Sequence, residues 1–116
     1  MRPPELPDGR VHCRACGALI TSEAFLVSVA GQALHHRTNP VGVAFTFGCF
    51  ASAPGAEPVG EATTLHSWVA GQAWRLALCL VCGAHLGWRF EGEGPAFFGL
   101  ILDRLTSGSG AAGEGS

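Results

Sequence analysis

Four of the five cysteines fall in two matched pairs, Cys13-x-x-Cys16 and Cys79-x-x-Cys82, each followed directly by a glycine, Gly17 and Gly83. Two thiolates three positions apart can grip one metal ion where the chain folds back tightly, and glycine supplies the left-handed backbone such a knuckle requires. Two knuckles make a four-thiolate site, and one structural Zn2+ on Cys13, Cys16, Cys79 and Cys82 is the expected cofactor. Four sulfurs at about 2.3 Å close the tetrahedron and leave no position for water or substrate, so this metal would be a staple and not a catalyst. Disulfides are disfavoured by an intracellular setting, and a thioredoxin-like redox pair by the matching of two pairs. Residues 17–78 separate the pairs, so metal binding and folding are expected to be coupled.

The second knuckle sits inside a segment, Ser67–Phe90, that carries every tryptophan of the chain: Trp68, Trp74 and Trp88. In His85-Leu-Gly-Trp-Arg-Phe90, Trp88 and Phe90 project from one face of a strand, while Trp68 and Trp74 flank the tight stretch Val69–Ala73. The expectation is an open aromatic box of three indoles with Phe90 adding apolar surface. Indole is often only partly buried, so spacing alone leaves cage and core both open. His66, just before Ser67-Trp68, is a candidate for the same pocket. His85 reads as a hydrogen-bonded structural residue, and His12, His35 and His36 as exposed. The fifth cysteine, Cys49, alternates with Val43, Phe45 and Phe47 and so reads as core; a reactive thiol needs a basic, partly exposed setting.

Positioning these groups falls to a short chain. Its 116 residues, 47% hydrophobic and 14% charged, suit one small domain. Residues 1–10, with three prolines, and the Gly/Ser/Ala-rich 106–116 read as a disordered leader and tail, leaving 11–105 as the folded part. The longest apolar run, 96–102, is too short for a membrane span, and no secretory leader is visible, so a soluble cytoplasmic protein is expected. The net charge is −2 and the seven basic residues, all arginine, are scattered, which excludes nucleic acid as an expected partner. The lack of lysine, with the Ala/Gly/Arg bias, points to a bacterial source. Strands are expected at 18–20, 24–30, 41–50, 74–80, 85–90 and 96–102, with a helical turn begun by Thr21 or Ser22 and another at 103–105. Turns are expected at Gly31-Gln32 and Asn39-Pro40. The fold class is mainly antiparallel β.

The series His66-Ser67-Trp68, Gly71, Ala73-Trp74, Cys79, Cys82, His85, Gly87-Trp88 and Phe90 closely resembles the thalidomide-binding domain of the cereblon family, including its single-domain bacterial relatives. The likeness extends to Cys13-x-x-Cys16, to Asn39-Pro40-x-Gly42 and to Phe97-Phe98-Gly99-Leu100, so it covers nearly all of 11–105. It implies two antiparallel sheets meeting at an angle, pinned by one zinc, with a three-tryptophan pocket for cyclic imides such as the glutarimide ring. By the family pattern Trp68, Trp74 and Trp88 would contact the ring, His66 would offer its side chain and carbonyl, and the Trp68 N–H would bond an imide oxygen. Ser67 belongs to the same motif, and Phe90 and Asn39 would line the rim or floor. Many relatives carry Phe-Pro-Gly-Tyr where this chain has Val69-Ala70-Gly71-Gln72.

The resulting expectation is a binding module and not an enzyme. Its partner would be a small cyclic imide, a uracil-like ring, or a peptide ending in a C-terminal cyclic imide, as on damaged proteins. Two other readings compete: an aromatic cage for a quaternary ammonium, helped by Glu91 or Glu93, and a zinc-bearing methionine sulfoxide reductase-like enzyme working through Cys49.

Overall fold

The computed structural model describes residues 9–107. Among the described residues, nine strands form two antiparallel sheets: β1 (Arg10–Cys13), β2 (Leu19–Ser22), β3 (Leu34–Thr38), β4 (Ala44–Phe50), β5 (Ala56–Thr63), β6 (Gln72–Cys79), β7 (His85–Gly92), β8 (Phe97–Ile101) and β9 (Leu105–Ser107). The small sheet has the order β2-β1-β9 and the large one β3-β4-β8-β7-β6-β5. The mainly β, two-sheet expectation holds. The proposed leader and tail lie outside the described residues apart from their inner ends, where Arg10 already opens β1 and Thr106 and Ser107 belong to β9.

Alternation along β8 explains how the large sheet serves two cores. Phe98 and Leu100 join Val11, Ile20 and Leu105 of the small sheet in one apolar cluster between the sheets. Phe97 and Ile101 join Phe47, Cys49, Trp88 and Phe90 in a second cluster, covered by Val27, Val29, Trp68 and Val69 from the intervening loops. Rings dominate this second cluster: Phe47 stacks on Phe90 at 5.9 Å, and Phe90 on Phe97 at 4.9 Å.

Four expectations need correction. Residues 24–30 are not a strand: Ser22 caps a 3-10 turn at Glu23–Phe25 by accepting from the Ala24 N–H, and beyond it only Leu26 and Val29 make isolated bridges. The apolar run serves as cover for the second cluster. The adjoining turn sits one residue earlier than read, on Ala30 and Gly31, both with positive φ. His35 is not exposed; it is 2% accessible, stacks on Phe47 at 5.4 Å, and donates from Nε2 to the carbonyls of Val29 and Gln32, tying that turn down. His12 is half-buried, whereas His36 is exposed as expected. The turn begun by Ser22 and one near the C-terminus, at Leu102–Arg104, are both present.

Candidate functional site

The two cysteine pairs build matching knuckles. In the first, the Gly17 N–H donates to the Cys13 carbonyl at 2.7 Å and the Cys13 N–H to Ala18; in the second, Gly83 donates to Cys79 at 2.8 Å and Cys79 to Ala84. Gly17 and Gly83 have φ of +82° and +80°, the backbone that the sequence required of them. The knuckles meet: the four Sγ atoms lie within 4.8 Å of one another, with Cys13 to Cys82 at 3.8 Å and Cys16 to Cys79 at 3.6 Å. Four sulfurs at about 2.3 Å from one zinc in a tetrahedron stand about 3.8 Å apart, so the donor set fits a single structural zinc. Burial opposes ionisation of Cys79, but the N–H groups of Cys82 and Val81 and the neighbouring thiols more than offset it and bring its thiol down to about 7. Cys13 and Cys16 are pushed the other way, Cys13 by burial and Cys16, against the Ala18 N–H, by burial together with the neighbouring thiols, so without a metal the cluster favours ionisation at Cys79 over the first knuckle. None of the five cysteines is in a disulfide.

From the second knuckle, β7 runs out into the aromatic cluster. Trp88 is 8% accessible and meets Trp68 edge-on at 5.0 Å, while Trp68 stacks on Phe47 at 5.9 Å. Trp74 faces Phe90 across the β6–β7 register, and its Nε1–H donates to the Leu65 carbonyl at 2.8 Å, so this indole is a wall with its own donor already engaged. Between them lies a cavity of about 270 Å³, close to the low end of ligand pockets at about 300–1,000 Å³. Trp68, Trp74, Trp88, Phe90, His66 and Asn39, all named from the sequence, line it.

The loops that complete the cavity are held by polar contacts. Asn39 Oδ1 accepts from the N–H groups of Val41 and Val43, which folds the Asn39-Pro40 turn and leaves its amide NH2 as the donor it retains. His66 has φ +56°, a left-handed conformation that costs a non-glycine residue and is held here by the Trp74–Leu65 contact and the Ser67 N–H donating to Thr64. Ser67 is not among the lining residues; its hydroxyl donates to the Val69 carbonyl and accepts from the Val69 N–H, so it shapes the loop. Gln72 closes the stretch by donating from its side chain to the Glu93 carbonyl, and the Glu93 N–H returns to Gly71.

Pro40, Phe45 and His85 also line the cavity and were not assigned to it from the sequence. The signals were present: Pro40 belongs to the same turn as Asn39, and Phe45 shares a strand face with Phe47. His85 is hydrogen-bonded, as expected, donating from Nε2 to the Gly87 carbonyl at 2.9 Å, but its ring also stands edge-on to Trp88 at 5.4 Å. Burial holds its pKa below the ordinary histidine range; the Gly87 carbonyl works against that depression and the Arg104 charge adds to it. Burial thus favours the neutral ring, and with Nε2–H given to Gly87 the neutral form leaves Nδ1 as an acceptor.

No helix among the described residues is long and apolar enough to cross a membrane. No family model matches the chain. Curated proteins are similar to it, however. Protein cereblon of Danio rerio is 35% identical over 101 residues, covering 80% of this chain and 23% of that protein. Protein cereblon of Xenopus tropicalis is 34% identical over 79 residues (68% of this chain, 17% of the relative), and that of Drosophila willistoni 32% over 112 residues (84% and 17%). The chain spans less than a quarter of the length of each. With the matched knuckles and two-sheet fold already in place, these identities identify the chain as a cereblon-related domain.

Proposed function

We propose that the domain is a binding module for small cyclic imides, including a C-terminal cyclic imide on a peptide, and not an enzyme. The observation that carries this reading is the convergence of three indoles with His66 on one small cavity. Apolar walls suit the ring methylenes, and the His66 backbone and side chain with the Trp68 N–H supply the polar complement that the family pattern assigns to an imide. Zinc stays in the knuckles as a staple, and the cytoplasm is the compartment that suits five cysteines outside any disulfide.

The competing readings fare worse on particular contacts. A quaternary ammonium cage gains from a carboxylate at its wall, but Glu91 is engaged with Arg75 at 3.0 Å and Arg89 at 3.7 Å, and neither Glu91 nor Glu93 lines the cavity. A sulfoxide reductase would need Cys49 as nucleophile. That residue is 0% accessible, and burial pushes its thiol up to about 11, with Arg37 only partly offsetting this.

Methylating the imide nitrogen tests the reading. The N–H that would face the His66 carbonyl is lost and a buried acceptor is left unmet, a cost of about 1–3 kcal/mol. Titration of tryptophan fluorescence should show glutarimide binding at least about tenfold more tightly than N-methyl glutarimide. Equal binding of the two, or preference for trimethyllysine, would sink the proposal.

A further inference from the structure

His85 is a wall of the cavity whose placement is governed from outside it. The β6–β7 ladder pairs Ala77 with Gly87 but Leu78 with His85, so Leu86 is an extra residue and the regular hydrogen bonding is interrupted where His85 enters. A carbonyl at such a bulge needs another donor. Arg104 supplies it, with Nη1 at 2.7 Å from the His85 oxygen. Arg104 does not line the cavity; it ends the 3-10 turn Leu102–Arg104, which is itself gripped by Arg14 of the first knuckle. The Arg14 N–H donates to the Arg104 carbonyl at 2.9 Å, its Nε–H to the Asp103 carbonyl at 2.9 Å, and its Nη2 to Leu105.

We propose that Arg104 is a positioning residue for the aromatic cavity, linking the first knuckle to the His85 wall and thereby setting ligand affinity without touching the ligand. The inference rests on the reading of the cavity as a ligand site. A charge-assisted bond of this length is stronger than a neutral one, and it fixes the backbone from which the imidazole reaches Gly87 and Trp88. Among the described residues lining the cavity the other titratable group is His66, on the loop before β6; Arg104 is a charged group beside His85.

Arg104→Met keeps the aliphatic stem and removes both the donors and the charge, whereas Arg104→Lys keeps the charge and a donating ammonium. Two measurements are made on the zinc-loaded full chain. Histidine ring nitrogen NMR without any ligand should show His85 in the Nε2–H form in the parent, and titrating at higher pH in Arg104→Met than in the parent, because a neighbouring positive charge is gone. Fluorescence titration with glutarimide should give an affinity about tenfold weaker for Arg104→Met and partly restored in Arg104→Lys. An unchanged His85 titration in Arg104→Met, or equal glutarimide affinity in the parent and both variants, overturns the proposal. If the parent itself takes up no glutarimide, the imide reading fails alone, and the ligand-free NMR comparison still decides whether Arg104 governs His85.

Discussion

The three tryptophans divide their duties according to burial, and so they should not respond alike to truncation. Trp88 is packed into the second cluster against Phe45, Phe47 and Trp68, so Trp88→Ala removes core as well as pocket and is expected to cost about 3–5 kcal/mol. Trp74 is half-buried at the cavity wall, and Trp74→Ala should abolish glutarimide binding at a stability cost at least ~1 kcal/mol smaller, some of it from freeing the Leu65 carbonyl. Denaturant unfolding of both variants measures the difference; equal losses would mean that Trp74 is core too. Cys49 gives a second prediction at this scale. Its thiol is pushed up to about 11 by burial, so the folded state holds that proton more tightly than the unfolded chain, whose thiol titrates near about 8.5. The associated stability is complete below about pH 8.5 and is lost as pH rises toward about 11. Cys49→Ala should flatten that part of the stability profile, retain glutarimide binding and leave no thiol-dependent sulfoxide reduction. Turnover of methionine sulfoxide that vanishes in the variant would reverse the assignment.

Strands were legible where their side chains alternate toward a core and obscure where they do not. β4, β6, β7 and β8 carry the large sheet's aromatic and branched residues of both clusters, and each was visible in the sequence, whereas β1 and β9, which add Val11 and Leu105, lie beside the stretches read as leader and tail and were not. β3, Leu-His-His-Arg-Thr, and β5, with Pro58 and Gly60 inside it, are the two edges of the large sheet, where polar residues and proline are tolerated because one side needs no partner. Nothing in their composition separates them from loop. Conversely, 24–30 has strand composition, but its apolar residues are used to roof the second cluster, a tertiary demand that a local pattern cannot show. The zinc ligands were readable because residue type and spacing carry their chemistry; the indoles stood out by type, but spacing left cage and core both open and only the family resemblance pointed to a pocket, while His85 and Phe45 left a partial signal because their membership in the cavity depends on the β6–β7 bulge and on the face that β4 turns to it. Packing at β8 makes a prediction for this scale. A Cβ on Gly99 would stand 2.7 Å from the Phe47 ring and 2.9 Å from that of Phe90, inside any normal contact. Gly99→Ala must displace the stacked rings of Phe47 and Phe90, the second of which lines the cavity, at a cost of about 1–3 kcal/mol. Thermal unfolding and glutarimide affinity should both fall, whereas a variant as stable as the parent would mean that the rings can yield.

At the scale of the whole molecule, the two sheets are unequal in their ability to stand alone. The small one consists of strands of four, four and three residues, too short to persist without support. Its own apolar contribution to the shared cluster centres on Val11, Ile20 and Leu105, while Cys13 and Cys16 at the end of β1 meet Cys79 and Cys82 at the β6–β7 turn. The metal therefore closes the long loop between the chain's two halves at the place where the small sheet has least else to hold it. In small zinc domains binding contributes about 10–16 kcal/mol at neutral pH, as large as the whole net stability of a typical domain at about 5–15 kcal/mol. Chelation should accordingly abolish cooperative unfolding, and one equivalent of zinc should restore it. Protons compete for the thiolates, so the zinc concentration needed for refolding should rise as pH is lowered from 8 to 6. The readouts are metal content per chain, the cooperativity of the thermal transition, and the zinc dependence of both at each pH. A chelated protein that still melts in one sharp transition, or Cys79→Ser with one full equivalent of tightly held zinc, would show that packing alone joins the sheets.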